Sequence, residues 1–180
     1  MQSDGDIWVF GYGSLMWNPG FPYEEARSAH LYGYHRAFCL YSEHYRGTPE
    51  RRGLVLGLDR GGSCLGRAFR VAAAATEAAM DYLIKREMFG HEVDVYELRW
   101  LRVALGDTAE DAHAACFIVN PAHDHYAGKL SLEKISEIIA EASGKSGSNR
   151  EYLANTIAHL DELGIADGPL HELYRIVGAS

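Results

Sequence analysis

Apolar residues follow two regimes along this chain of 180 residues. In the first part, β-branched and aromatic residues come in blocks at Ile7–Tyr12, Ala29–Tyr41, Gly53–Asp59 and Cys64–Val71. The Gly-, Pro- and charge-rich stretches between them, GTPERR and DRGG among them, read as turns. From Thr76 to Phe89 the spacing becomes helical, with Gly90 as its stop. Val93–Ala104 and Ala114–Val119 return to strand character, separated by the polar GDTAEDAH. The remainder is helical. Leu132, Ile135, Ile138, Ile139 and Ala142 share one face behind Ser131, a natural N-cap. Ser148-x-x-Glu151 matches a capping box before Leu153, Ile157, Leu160 and Leu163. Gly164 closes that helix, and Asp167-Gly-Pro169 opens a short last one carrying Leu170, Leu173 and Tyr174.

Strands first and helices later, with one helix among the strands, predict an α+β fold. The expected architecture is a mixed, mostly antiparallel curled sheet or small β-barrel with flanking and C-terminal helices. No repeat, low-complexity tract or linker interrupts it, so a single domain over residues 1–180 is expected.

Composition narrows the function classes. The formal net charge of −8 argues against a nucleic-acid partner, which requires clustered Lys and Arg. Cys39, Cys64 and Cys116 are odd in number and scattered, which fits a reducing compartment. The opening MQSDGD has acidic residues, no basic one and no apolar run, unlike a secretory signal. No stretch approaches the roughly 18 apolar residues of a membrane span. A cytoplasmic protein without a membrane partner is expected.

One carboxylate stands out. Along TEAAMDYLIKREMFG, Met80, Leu83, Ile84 and Met88 form an apolar stripe, and Glu87, two turns after Met80, falls in its middle. Arg86 is expected to point away. A Glu so placed fits a buried salt bridge, the emerging end of a stripe, or a general base whose proton affinity is raised by desolvation.

The first strand, WVFGYGSLMW, ends in glycines. Gly11 and Gly13 lack the third glycine of a dinucleotide fingerprint, since Met16 holds that place. Ser14 lacks the flanking glycines of a nucleophile elbow. A tight bend, or bare N–H groups able to hold a carboxylate or oxyanion, remain.

These segments together resemble the gamma-glutamylcyclotransferases, specifically the ChaC-type branch acting on glutathione. The resemblance runs through VFGYGSLMWNPGF, LYGYHRAFCLYS, RGGSCLGRAFRV, YLIKREM and NPAHDHYAGKLSLEKISEIIAEASGKSGSNREYL, in order and across nearly the whole chain. It implies a catalytic Glu87 and a substrate-binding loop of Tyr12, Gly13, Ser14 and Leu15, with Tyr152 of the NREYL segment as a further substrate-binding residue. It also implies a small-molecule γ-glutamyl substrate, cyclisation to 5-oxoproline, and release of Cys-Gly from glutathione, with no cofactor and no metal. Phe89-Gly90-His91 departs from the family, whose members often carry Gly-Gly-Tyr there. Action on other γ-glutamyl amines, or ligand binding without catalysis, are the alternatives.

Lesser signals are assigned ordinary roles. Arg36, Arg70 and Tyr126 are expected in surface or turn positions. The pair His123-x-His125 lies in a polar turn without a third metal ligand.

Overall fold

The structure, a computed structural model, describes residues 5–88, 94–106 and 110–179. The chain divides into two compact units, Met1–Arg36 with Leu58–Asn120, and Ala37–Gly57 with Pro121–Ser180.

The strands are β1 (Ile7–Gly11), β2 (Glu25–Ser42), β3 (Gly53–Val71), β4 (Tyr96–Leu105) and β5 (Asp111–Val119). They close a barrel in the order β1-β3-β2-β4-β5. β1 pairs antiparallel with β3, Val9 facing Phe69, and parallel with β5, Val9 facing Ala115. Flanked on both sides, β1 is almost wholly buried, which explains its unbroken apolar run. Gly66 lets β1 and β3 approach, because a methyl there would meet Gly11 O at 2.3 Å.

The two strands expected at Gly53–Asp59 and Cys64–Val71 are one continuous β3. The glycine pair bends the strand instead of ending it, Gly61 (φ +98°) and Gly62 (φ +66°) both adopting left-handed conformations. β2 follows alongside, with His35 Nδ1 at 3.0 Å from Gly61 O.

Helix α1 (Thr76–Met88) packs Ala79 and Leu83 against Ile7, Val9, Leu15, Phe69, Val71 and Phe117, with Met80 partly buried beside them. Its buried ladder therefore steps 79, 83, 87, four residues at a time. The expected Phe89, the Gly90 stop and Val93 lie outside the described residues.

The second unit holds α2 (Leu132–Glu141), a hairpin of β6 (Ser143–Gly144) and β7 (Gly147–Ser148), α3 (Asn149–Glu162) and α4 (Gly168–Ala179). Ser131 caps α2 by accepting from Lys134 N–H, and Ser148 caps α3 by accepting from Glu151 N–H at 3.1 Å. The final helix is longer than expected: Leu170, Leu173 and Val177 bury along it, while Tyr174, expected inside with them, is exposed. Asn149, fully buried, accepts from Leu54 N–H and donates to Leu54 O at 2.8 Å, acting as a side-chain rung on β3.

Candidate active site

The loop after β1 answers the question its glycines pose. Ser14–Met16 forms a single 3-10 turn that folds back over Gly11, where a methyl would stand 3.1 Å from Leu15 Cβ. Tyr12, Leu15 and Met16 turn their side chains into the core, while Ser14 is exposed. Four carbonyls of the Tyr12–Met16 segment accept hydrogen bonds from within the chain. Tyr12 O accepts from Arg36 Nε, Gly13 O from Met16 N–H at 2.9 Å, Ser14 O from Asn18 N–H at 2.8 Å, and Met16 O from Arg67 at 3.1 Å. Carbonyls engaged in this way repel an anion approaching the loop less than free ones would.

Arg36 is the main organiser of that arrangement. It is 4% exposed, against the surface or turn position expected, and its guanidinium spans Tyr12 O, Leu65 O at 2.7 Å and Met16 Sδ at 3.8 Å. The sequence signal that could have found it is a lone cation inside the apolar run RAFCL. Arg70 instead lies at the surface, paired with Asp6 and with Glu25 at 3.1 Å.

Glu87 continues the buried ladder of α1, with its side chain 17% exposed. Burial pushes its carboxyl above the ordinary value of 4.5, and the Arg86 charge opposes part of that rise. Among the described residues the one cation within ion-pair range is Arg86, with Nε at 3.4 Å from Oε1. An incompletely compensated, desolvated carboxylate suits a proton acceptor better than a structural ion pair does.

Arg86 does not point away. Its guanidinium reaches across to the loop, donating to Ser14 Oγ at 2.8 Å, Asn18 O at 2.7 Å and Tyr82 Oη at 3.1 Å. Tyr82 Oη lies over Gly20, whose left-handed backbone (φ +76°) and missing side chain leave room for it. Glu87 and the glycine loop are thus joined through one side chain. The sequence stripe hid this, because a long Arg stem can curl back from the direction its Cα sets.

Tyr152 belongs to the second unit. Its hydroxyl accepts from Leu56 N–H at 3.4 Å, its ring meets Phe38 edge-on at 5.8 Å, and Arg46 lies 5.2 Å above it. Tyr126 forms an isolated bridge with Leu40. His123 Nδ1 accepts from His125 N–H at 3.1 Å, and His125 Nε2 stands 3.8 Å from Glu43. Among the described residues there is no cluster of His, Cys, Asp and Glu suited to a metal ion. All three cysteines are buried, and burial pushes the Cys116 thiol up to about 12, too high for a thiolate nucleophile at neutral pH. No helix of the described residues is long and apolar enough to cross a membrane.

The family model described as ChaC-like protein matches residues 7–180. The chain belongs to this family. As a ChaC-like protein it is 38% identical over 170 residues to the glutathione-specific gamma-glutamylcyclotransferase of Escherichia coli (strain K12), covering 94% of this chain and 72% of the relative. It is 33% identical to gamma-glutamylcyclotransferase 2-3 of Arabidopsis thaliana, covering 93% of this chain and 86% of that one. To the glutathione-specific gamma-glutamylcyclotransferase 1 of Homo sapiens it is 32% identical over 84% of this chain and 70% of the relative. The crystal structure of a yeast gamma-glutamylcyclotransferase specific to glutathione superposes with a TM-score of 0.85, over 98% of this chain and 97% of that one. At 22% identity, that match establishes the ChaC-like fold.

Proposed function

We propose that this ChaC-like protein is a glutathione-specific gamma-glutamylcyclotransferase, with Glu87 as its general base. The observation that carries the reading is a largely buried carboxylate of raised proton affinity, tied through Arg86 to the glycine loop. The names of the relatives supply the substrate.

The chemistry asks for those parts and little else. A γ-glutamyl compound carries its own nucleophile: the α-amine attacks the γ-carbonyl, a five-membered lactam closes, and the γ-amide C–N bond breaks. 5-Oxoproline and, from glutathione, Cys-Gly result. Holding amine against carbonyl can contribute up to about 7–11 kcal/mol. Two protons pass from the glutamyl nitrogen to the leaving nitrogen, and Glu87 carries them one at a time. N–H groups of the Tyr12–Leu15 loop hold the glutamyl end or the tetrahedral oxyanion. The displacement is intramolecular and needs neither cofactor nor metal. Tyr152 is kept as a substrate-binding candidate on resemblance alone, and the cytoplasm, where glutathione is reduced and abundant, is the compartment this reading expects.

The test is product analysis with purified protein on glutathione and on a panel of other γ-glutamyl amines. The reading predicts 5-oxoproline and Cys-Gly in equal amounts from glutathione and little from the panel. Turnover of the panel in preference to glutathione would overturn the substrate assignment.

A further inference from the structure

Arg86 makes contacts that decide which way two hydroxyl protons point. A guanidinium has five N–H donors and no acceptor, so any hydroxyl bonded to it must be the acceptor. Ser14 Oγ accepts from Arg86 Nη2 at 2.8 Å, and Tyr82 Oη accepts from Arg86 Nη1 at 3.1 Å. Each hydroxyl keeps one proton that cannot go to Arg86. Among the described residues neither has an acceptor in the chain. Ser14 is exposed and Tyr82 is 37% exposed, so both protons can face an arriving molecule. The guanidinium itself is already engaged, by Asn18 O at 2.7 Å, Pro19 O at 3.4 Å, both hydroxyls, and Glu87 at 3.4 Å.

We propose that Tyr82 is a further substrate-binding residue which, with Ser14, donates to a substrate carboxylate, and that Arg86 is the positioning residue that turns both hydroxyls outward as donors. The inference rests on the function proposed above. Two donors flanking one delocalised cation suit a planar anion with two oxygens. The carboxylate that fits is the one on the carbon bearing the reacting amine. Glu87, on the Nε side of the same guanidinium, can then take the amine's proton while the hydroxyls hold the neighbouring carboxylate. Gly20 is part of the device: a methyl there would fall 2.1 Å from Tyr82 Oη and displace it.

Tyr82→Phe removes only the hydroxyl and keeps the ring, so it separates binding from folding. Steady-state kinetics on glutathione would be combined with inhibition by 5-oxoproline, which keeps the carboxylate, and by 2-pyrrolidinone, which lacks it. Loss of a hydrogen bond to a charged group should raise KM about tenfold or more, with kcat within about twofold. Inhibition by 5-oxoproline should weaken to a similar degree while that by 2-pyrrolidinone stays unchanged. Arg86→Lys, which keeps the charge but not the fork, should lower kcat as well as raise KM. A purely structural role for Tyr82 would leave the preference for 5-oxoproline over 2-pyrrolidinone intact, and that result overturns the inference. Wild-type protein without turnover would overturn the proposed function and this inference together. Turnover by wild type with Tyr82→Phe indistinguishable from it would overturn the inference alone.

Discussion

Arg86 donates to the Ser14 hydroxyl at 2.8 Å, joining the helix that carries Glu87 to the glycine loop at the end of β1. With the bonds to Asn18 O and Pro19 O, it sets the register between the proposed base and the proposed oxyanion site. A base misplaced by about 1 Å can cost a hundredfold in rate, so the bond belongs to the reaction as much as to the fold.

Arg86 also tempers the effect of burial on its neighbour. Burial raises the Glu87 carboxyl and the Arg86 charge holds part of that rise in check. A base must be ionised, so kcat/KM should climb with pH through the Glu87 value, above the ordinary 4.5. Arg86→Gln removes the opposing charge and should move the acid limb to still higher pH. A limb that stays in place would mean that the two groups are not electrostatically linked.

The same burial bears on stability. A carboxyl whose folded value is raised favours folding while protonated and loses that contribution as pH rises through the folded value. Glu87→Gln, which cannot ionise, should therefore melt above wild type at neutral pH. The gap should close as the pH falls below 4.5. Melting curves across that range check it, and a variant that melts below wild type at neutral pH would contradict a desolvated Glu87.

Within the second unit, the fully buried Asn149 ties the start of α3 to β3 through both polar groups of Leu54. Asn149→Ala leaves a buried N–H and a buried C=O without partners, at about 1–3 kcal/mol each. The expected destabilisation is about 2–6 kcal/mol by urea titration. A loss below about 1 kcal/mol would show that water replaces the side chain.

His171 links the ends of two helices, with Nε2 at 2.9 Å from Asp161 and Nδ1 at 2.7 Å from Asp167 O. Both partners accept, so the doubly protonated ring satisfies both. The Asp161 carboxylate, then the Asp167 carbonyl, raise the His171 value above 6.5. The stabilisation is complete below 6.5 and fades as pH rises through the elevated value. Asp161→Asn should lower the melting temperature at about pH 6 and have little effect at about pH 9. Equal losses at both would rule out the charged clasp.

What the sequence disclosed depended on how local each determinant is. The caps at Ser131 and Ser148 are contained in four-residue patterns and could be read directly. Glu87 could be singled out because it falls two turns after Met80 in an apolar stripe shared with Leu83 and Ile84, although the face that buries most deeply is centred on Ala79 and Leu83. The Gly61-Gly62 pair could not be resolved, since a turn and a strand bend demand the same left-handed backbone. Only the neighbouring strand decides between them. Arg86 and Arg36 depart from the sequence expectation for a related reason. The destination of a long cationic side chain is set by carbonyls distant in sequence, here those of Asn18, Tyr12 and Leu65.

The central claim is tested most directly by incubating wild type and Glu87→Gln with glutathione and quantifying 5-oxoproline and Cys-Gly. Equal release of both products by wild type, reduced by about 10²–10⁴-fold in the variant with its fold intact, is the predicted result. Near-wild-type release by Glu87→Gln would contradict the assignment of Glu87 as the base.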